Sequence, residues 1–202
     1  MNLRILTLAA ATMMLGVNVA CAKQSPQPAA VAAPTAVAPQ TDTVAVHSAA
    51  MDRDIKNTVI VPQQYLVPGD TARWPVVYLL HGADGSYRDW PRKARLDSLA
   101  TRYGVIIVCP DGQDSWYFDS PVDPTMQFET YVGTELVQWI DAHYRTRAAR
   151  EGRAITGLSM GGHGALWIGW RHPDVFAQTG SMSGGENLAP FPHPGVIPAL
   201  PG

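Results

Sequence analysis

One serine in this chain sits between glycines at a spacing that chemistry exploits: Gly157-Leu158-Ser159-Met160-Gly161. A serine hydroxyl acts as a nucleophile only when the backbone presents it and neighbouring groups activate it and stabilise the charge that develops. The flanking residues meet the first condition. Ala154–Leu158 reads as a strand and Met160–Arg171 as a helix stopped by His172-Pro173, since proline cannot continue a helix. Ser159 is therefore expected on a tight strand-to-helix turn, where glycines on both sides let the chain double back. Its hydroxyl would stand at the carboxyl end of a sheet, at the positive end of a helix. Gly162 and Gly164 would allow that helix to approach the sheet closely. The chemistry such a turn serves is acyl transfer through a covalent acyl-serine.

Positioning this serine requires a sheet, and the sequence contains the strands for one. Val44–Ser48 and Ile55–Val61 read as an opening pair, closed by Pro62. Val76–Leu80 and Val105–Cys109 are unbroken apolar runs. Continuous rather than alternating hydrophobicity marks strands covered on both faces, as in a parallel sheet between helices. Between these runs Leu96, Leu99, Ala100 and Tyr103 recur at helical spacing, with Gly104 as a stop, which completes a strand–helix–strand crossover. Phe128, Tyr131, Val132, Leu136, Trp139, Ile140 and His143 predict a strongly amphipathic helix whose aromatic stripe packs on the sheet. Ala177–Met182 reads as a further short strand. The fold class is thus α/β, of the α/β-hydrolase type: a mostly parallel sheet with helices on both faces.

In that fold the oxyanion is held by two backbone N–H groups. One belongs to the residue after the nucleophile, here Met160. The other comes from the loop behind the third strand, His81-Gly82-Ala83-Asp84-Gly85; Ala83 is the expected donor and Gly82 the alternative. His81 precedes the serine at a strand end. It is read as shaping this loop rather than as a base, because chain order in this fold runs serine, acid, histidine.

Several blocks, in order, resemble the esterase group that includes esterase D (S-formylglutathione hydrolase), tributyrin and feruloyl esterases, and the antigen 85 mycolyltransferases. They are Leu79-Leu80-His81-Gly82, Asp89-Trp90, Val108-Cys109-Pro110-Asp111-Gly112, Ser115-Trp116-Tyr117 and Phe128-Glu129-Thr130-Tyr131. Gly157 to Gly162, His172-Pro173-Asp174-Val175-Phe176 and Ser183-Gly184-Gly185 continue the series. The resemblance runs from about Val46 to Pro192. It implies hydrolysis of carboxylic esters on small molecules, or acyl transfer to a sugar acceptor, with no metal or cofactor.

The same resemblance places the catalytic acid after a seventh strand and the histidine after an eighth, which implies that the fold is incomplete, with its last strands missing. Downstream of Ser159 the acids are Asp174 and Glu186, and the histidines are His163, His172 and His193. Asp174 and His172 belong to the stop after the helix, and His163 resembles a packing position. Glu186 and His193 have the right order but not the expected surroundings. Residues 193–202 carry three prolines and two glycines, so neither a helix nor a central strand is expected there. The reading is a premature end near residue 192 and impaired turnover, with an inert remnant or a binding module on a hydrolase scaffold as the non-enzymatic alternative.

The rest of the chain sets the surroundings. Residues 1–22 read as a signal peptide: Arg4, then an apolar Ile5–Val17, then Ala20-Cys21-Ala22 as a small-residue cleavage site, a pattern too short to span a bilayer comfortably. Export to the periplasm or beyond is expected. A membrane enters only if Cys21 is lipidated, a reading weakened by Asn18 standing where a leucine is usual. Residues 23–42, rich in Ala, Pro and Gln, read as a flexible linker, and 43–192 as the partial hydrolase domain, followed by an irregular tail over 193–202. The net charge of -2 offers no electrostatic ground for a nucleic-acid partner. Arg145, Arg147, Arg150 and Arg153 read as a solvated loop. With two cysteines, Cys21 and Cys109, no disulfide is expected. Asp111, Asp114, Asp119 and Asp123 lack the glycine and glutamate of a calcium loop and read as a polar rim. Oligomeric state is open.

Overall fold

A computed structural model of the protein describes residues 40–185. The residues read as a signal peptide, nearly all of those read as a linker, Cys21, Glu186, His193 and the residues read as a tail lie outside the described residues.

Six strands form one sheet in the order β1-β2-β4-β3-β5-β6. β1 (Thr41–Ser48) and β2 (Arg53–Ile60) make an antiparallel hairpin. β2 runs antiparallel to β4 (Ile106–Pro110). From there the sheet is parallel: β4 to β3 (Val76–Leu80), β3 to β5 (Arg153–Leu158), and β5 to β6 (Gln178–Met182). The unbroken apolar runs are the central strands, as expected of strands buried on both faces: β4 is buried throughout, and Tyr78 and Leu80 of β3 are fully buried.

Helices lie on both faces. On one side α1 (Asp89–Lys93) packs Trp90, and α2 (Leu96–Tyr103) packs Leu96 and Ala100, against Ile60, Leu79, Ile107 and Cys109. On the other, α4 (Leu136–His143) and α5 (Met160–Arg171) join a larger cluster with Val76, Tyr78, Leu80, Val108 and Ile155. Two details depart from the periodic reading. Leu99 and Tyr103 of α2 are exposed; the helix has eight residues and buries a single i, i+4 pair, while Tyr103 carries the Arg102 guanidinium over its ring. The long amphipathic helix is in fact α3 (Phe128–Thr130), a π turn over Tyr131–Glu135, and α4. The wider turn carries Tyr131, Val132 and Leu136 into the core together, but leaves His143 at the surface, stacked on Trp139. Glu135, at the end of the π turn, accepts from the Ser48 hydroxyl (2.6 Å) and the Ala50 N–H (2.9 Å), which ties this segment to the β1–β2 hairpin.

The register brings the C-terminal ends of β3, β4, β5 and β6 to one rim. That rim carries nearly all the backbone strain in the described residues. Left-handed φ occurs at Asp84 (58°), Gln113 (46°), Trp116 (55°), Tyr117 (61°), Ser159 (54°) and Ser183 (52°), all in the segments leaving those four strands; Asp52, in the β1–β2 turn, is the one non-glycine elsewhere. Each such residue costs about 1–3 kcal/mol and concentrates where geometry serves a function.

Candidate active site

Ser159 occupies the junction between β5 and α5 with φ 54° and ψ −119°, well outside ordinary strand or helix space. The turn is enforced from several directions. The Ser159 N–H donates to Met182 O on β6 (2.9 Å), and the Ser159 carbonyl accepts the His163 N–H (3.0 Å), the first helical bond of α5. A Cβ on Gly157 would lie 2.5 Å from the carbonyl of Gly161 and 2.8 Å from Leu80 Cβ; one on Gly161 would lie 2.5 Å from the carbonyl oxygens of both Leu80 and His81. Any larger residue at either place would push the helix off the sheet. Ser159 itself is exposed, while Met160 behind it is fully buried.

The β3 loop lies against this turn. A Cβ on Gly82 would sit 3.5 Å from Ser159 Cβ and 3.4 Å from Leu158 O, so Gly82 is a direct neighbour of the serine. Met160 opens α5, where the first backbone N–H groups have no partner within the helix and the helix dipole favours negative charge. The structure therefore brings Ser159, Met160 and Gly82 together, with Ala83 the next residue along the loop.

His81 is buried and committed to the loop. Its Nε2 accepts the Gly112 N–H (2.8 Å), which places the ring proton on Nδ1, and Nδ1–H donates to Gly82 O (2.7 Å). Asp111 Oδ1 stands 3.9 Å from Nε2. With both ring nitrogens occupied, the imidazole has no lone pair to offer a serine hydroxyl. Among the described residues no side chain makes a hydrogen bond to Ser159 Oγ. His163, on the first turn of α5, is buried with Nδ1 against Gly185 O (2.7 Å) and its ring among Phe118, Trp116 and Trp167. His172 caps the C-terminus of α5 and approaches Glu129 Oε1 at 3.3 Å.

The acidic residues of the β4 loop are spent on local structure. Asp111 accepts from Gln113 N–H, Asp114 from Asp84 N–H (2.7 Å), Asp119 from the Thr130 N–H and hydroxyl, and Asp123 from the Thr125 N–H and hydroxyl. The Thr125 bonds hold the Asp123 carboxyl below its usual range. Among the described residues no group of histidine, cysteine and carboxylate side chains is arranged to hold a metal ion.

Two residues of the site's frame escaped the sequence reading. Tyr117, fully buried, has its hydroxyl on the backbone of His81; burial pushes its ionisation well above the usual tyrosine range, with Asp111 adding to the effect. Glu129, nearly buried, accepts from Trp167 Nε1–H (2.7 Å) and Arg171 Nε–H (2.6 Å), clamping α3 to α5. Both lie in blocks that carry the family resemblance, but neither has a motif that announces a role. A non-glycine residue at φ 61° has no local sequence signature.

The sheet order, the two helical layers and the serine turn define an α/β-hydrolase. The "Putative esterase" family matches residues 48–193, and the chain belongs to that family. It is 36% identical over 135 residues to an esterase of Mycobacterium tuberculosis, a match covering 64% of this chain and 29% of that protein. It is 34% identical over 149 residues to the diacylglycerol acyltransferase/mycolyltransferase Ag85B of Mycolicibacterium smegmatis, covering 69% of this chain and 43% of that one. A solved ferulic acid esterase superposes with a TM-score of 0.66 at 29% identity, over 77% of this chain and 63% of that one. The chain thus spans less than half the length of these two curated relatives.

Proposed function

We propose that this chain is an exported serine hydrolase of carboxylic esters, working through an acyl-serine at Ser159. The observation that carries the reading is the exposed Ser159 at φ 54° between β5 and α5, with the Gly82 position 3.5 Å from its Cβ. In this reading the hydroxyl adds to the carbonyl carbon of a small-molecule ester, and the Met160 and Ala83 N–H groups take the developing oxyanion. Collapse of the tetrahedral intermediate expels the alcohol and leaves the acyl group on Oγ; water then releases the acid. Family membership and the esterase relatives support the reaction class. The acid and histidine that would move protons are not supplied by residues 40–185. Removal of a triad member leaves turnover about 10⁴-fold lower, what remains coming from the oxyanion hole and binding, so the turnover rate reports whether an acid and a histidine reach Ser159.

The resemblance to a mycolyltransferase favours one second reading, in which a sugar hydroxyl rather than water receives the acyl group. A fluorophosphonate probe tests the shared step. Labelling at Ser159 that disappears in Ser159→Ala supports both readings, and folded protein that takes no label contradicts both. Product analysis of an ester incubated with and without a sugar acceptor then separates hydrolysis from transfer.

A further inference from the structure

The two proposed oxyanion donors belong to different segments, the β3 loop and the N-terminus of α5. A single buried side chain spans the gap behind them. The Tyr117 hydroxyl accepts the His81 N–H (3.1 Å) and donates to the His81 carbonyl (3.3 Å). Its ring lies between two glycine backbones: a Cβ would fall 2.3 Å from the ring at Gly112, on the β4 loop, and 2.4 Å from it at Gly164, on α5. One face of the site's frame is thus keyed to α5 and the other to the residue preceding Gly82. The connection continues through His81, whose ring proton holds the Gly82 carbonyl (2.7 Å), with the Gly85 N–H as a second donor to the same oxygen (3.1 Å). In a trans peptide the carbonyl and the following N–H point in opposite directions. Fixing Gly82 O on the His81 side therefore turns the Ala83 N–H to the other side of the loop. Tyr117 holds this position despite left-handed φ at both itself and Trp116, which indicates that the surroundings select the conformation rather than the residue.

We propose that Tyr117 is a positioning residue of the ester site, setting the direction and separation of the Ala83 amide relative to Met160 and Ser159 through the His81 backbone. The proposal rests on the reading of Ser159 as nucleophile. The test is the saturation kinetics of fluorophosphonate inactivation in the full chain, wild type against Tyr117→Phe, which keeps the ring in its slot and removes the hydroxyl. The expected result is a maximal inactivation rate at least ~10-fold lower with the half-saturating probe concentration within about twofold, because a donor that is misaimed is felt mainly in the transition state. An unchanged maximal rate, or a change confined to half-saturation, overturns the proposal. Wild-type protein that takes no label at Ser159 overturns the nucleophile reading instead. Should Tyr117→Phe not fold, His81→Asn and His81→Ala carry the test. The asparagine retains a donor near the Nδ1 position and should keep the rate within about threefold, whereas the alanine should lose ~10-fold; equal rates for the two overturn the proposal.

Discussion

Gly161→Ala is the substitution whose consequence the structure specifies most fully. The new methyl would meet the carbonyl oxygens of Leu80 and His81 at 2.5 Å each, whereas ordinary contact begins near 3.4 Å. The obstacles are backbone atoms at the end of β3 and in the residue that follows it, so no rotamer change relieves them. Either α5 or the β3 rim must move by about 0.9 Å. Overpacking of this kind costs about 1–3 kcal/mol, and the rigid partners place this site in the upper half of that range. At this chain length each kcal/mol lowers the melting temperature by roughly 2–4 °C, so a fall of about 5–10 °C is expected. The same displacement separates Met160 from the loop carrying Ala83, and misplacement near 1 Å costs ~10²-fold in rate. Circular dichroism melting and fluorophosphonate inactivation measure the two effects on one sample. Gly180→Ala is the control: its methyl meets only the Thr156 side chain, at 3.2 Å, and should melt within about 2 °C of wild type. Wild-type melting and wild-type inactivation in Gly161→Ala would refute the close approach on which the site geometry depends.

Other perturbations read other parts of the frame. Glu129→Gln weakens the charge-assisted bonds from Trp167 and Arg171; because the Arg171 side chain is 56% exposed, the loss is expected near 1–2 kcal/mol in a urea melt. Burial raises the ionisation of Tyr78, Tyr117 and Tyr131 far above the usual range and pushes Tyr144 up to about 12. A raised folded-state value stabilises the protein below the unfolded value of 10.0 and is lost as pH climbs toward the folded one. Spectrophotometric titration should therefore show these tyrosinates only together with alkaline unfolding, and smooth ionisation in folded protein would count against their burial. Asp89 is held below 3.8, chiefly by its hydrogen bond from Lys93. This depressed value contributes stability above 3.8 that disappears as pH falls further, so Lys93→Ala should flatten the acid limb of a melting-temperature profile.

What could be read from the sequence was what local chemistry determines. Val76–Leu80 and Met160–Arg171 fall on the same residues in the sequence and in the structure, because an unbroken apolar run and a proline stop leave little freedom. Gly104 ends α2 in the left-handed conformation for which glycine is suited. The closeness of Gly82 to Ser159 was legible because a strand-turn-helix motif and a loop behind a neighbouring parallel strand must share a rim. The π turn over Tyr131–Glu135 was not legible, since it conserves the apolar spacing that predicts a straight helix and depends on tertiary contacts of Glu135 with the β1–β2 hairpin. Tyr117 was equally hidden. Its conformation follows from the space left by Gly112 and Gly164, far apart in sequence, and from a hydrogen bond to the backbone of His81, just past β3.

Trapping the covalent intermediate tests the central claim most directly. The full chain is incubated with an activated acetate ester, quenched in acid and digested, and the acylated peptide is sequenced by mass spectrometry. The account predicts an acetyl group on Ser159, absent from Ser159→Ala and diminished in Gly161→Ala. Acylation of folded protein only at another residue, such as Ser181, Ser183 or a lysine, would contradict it.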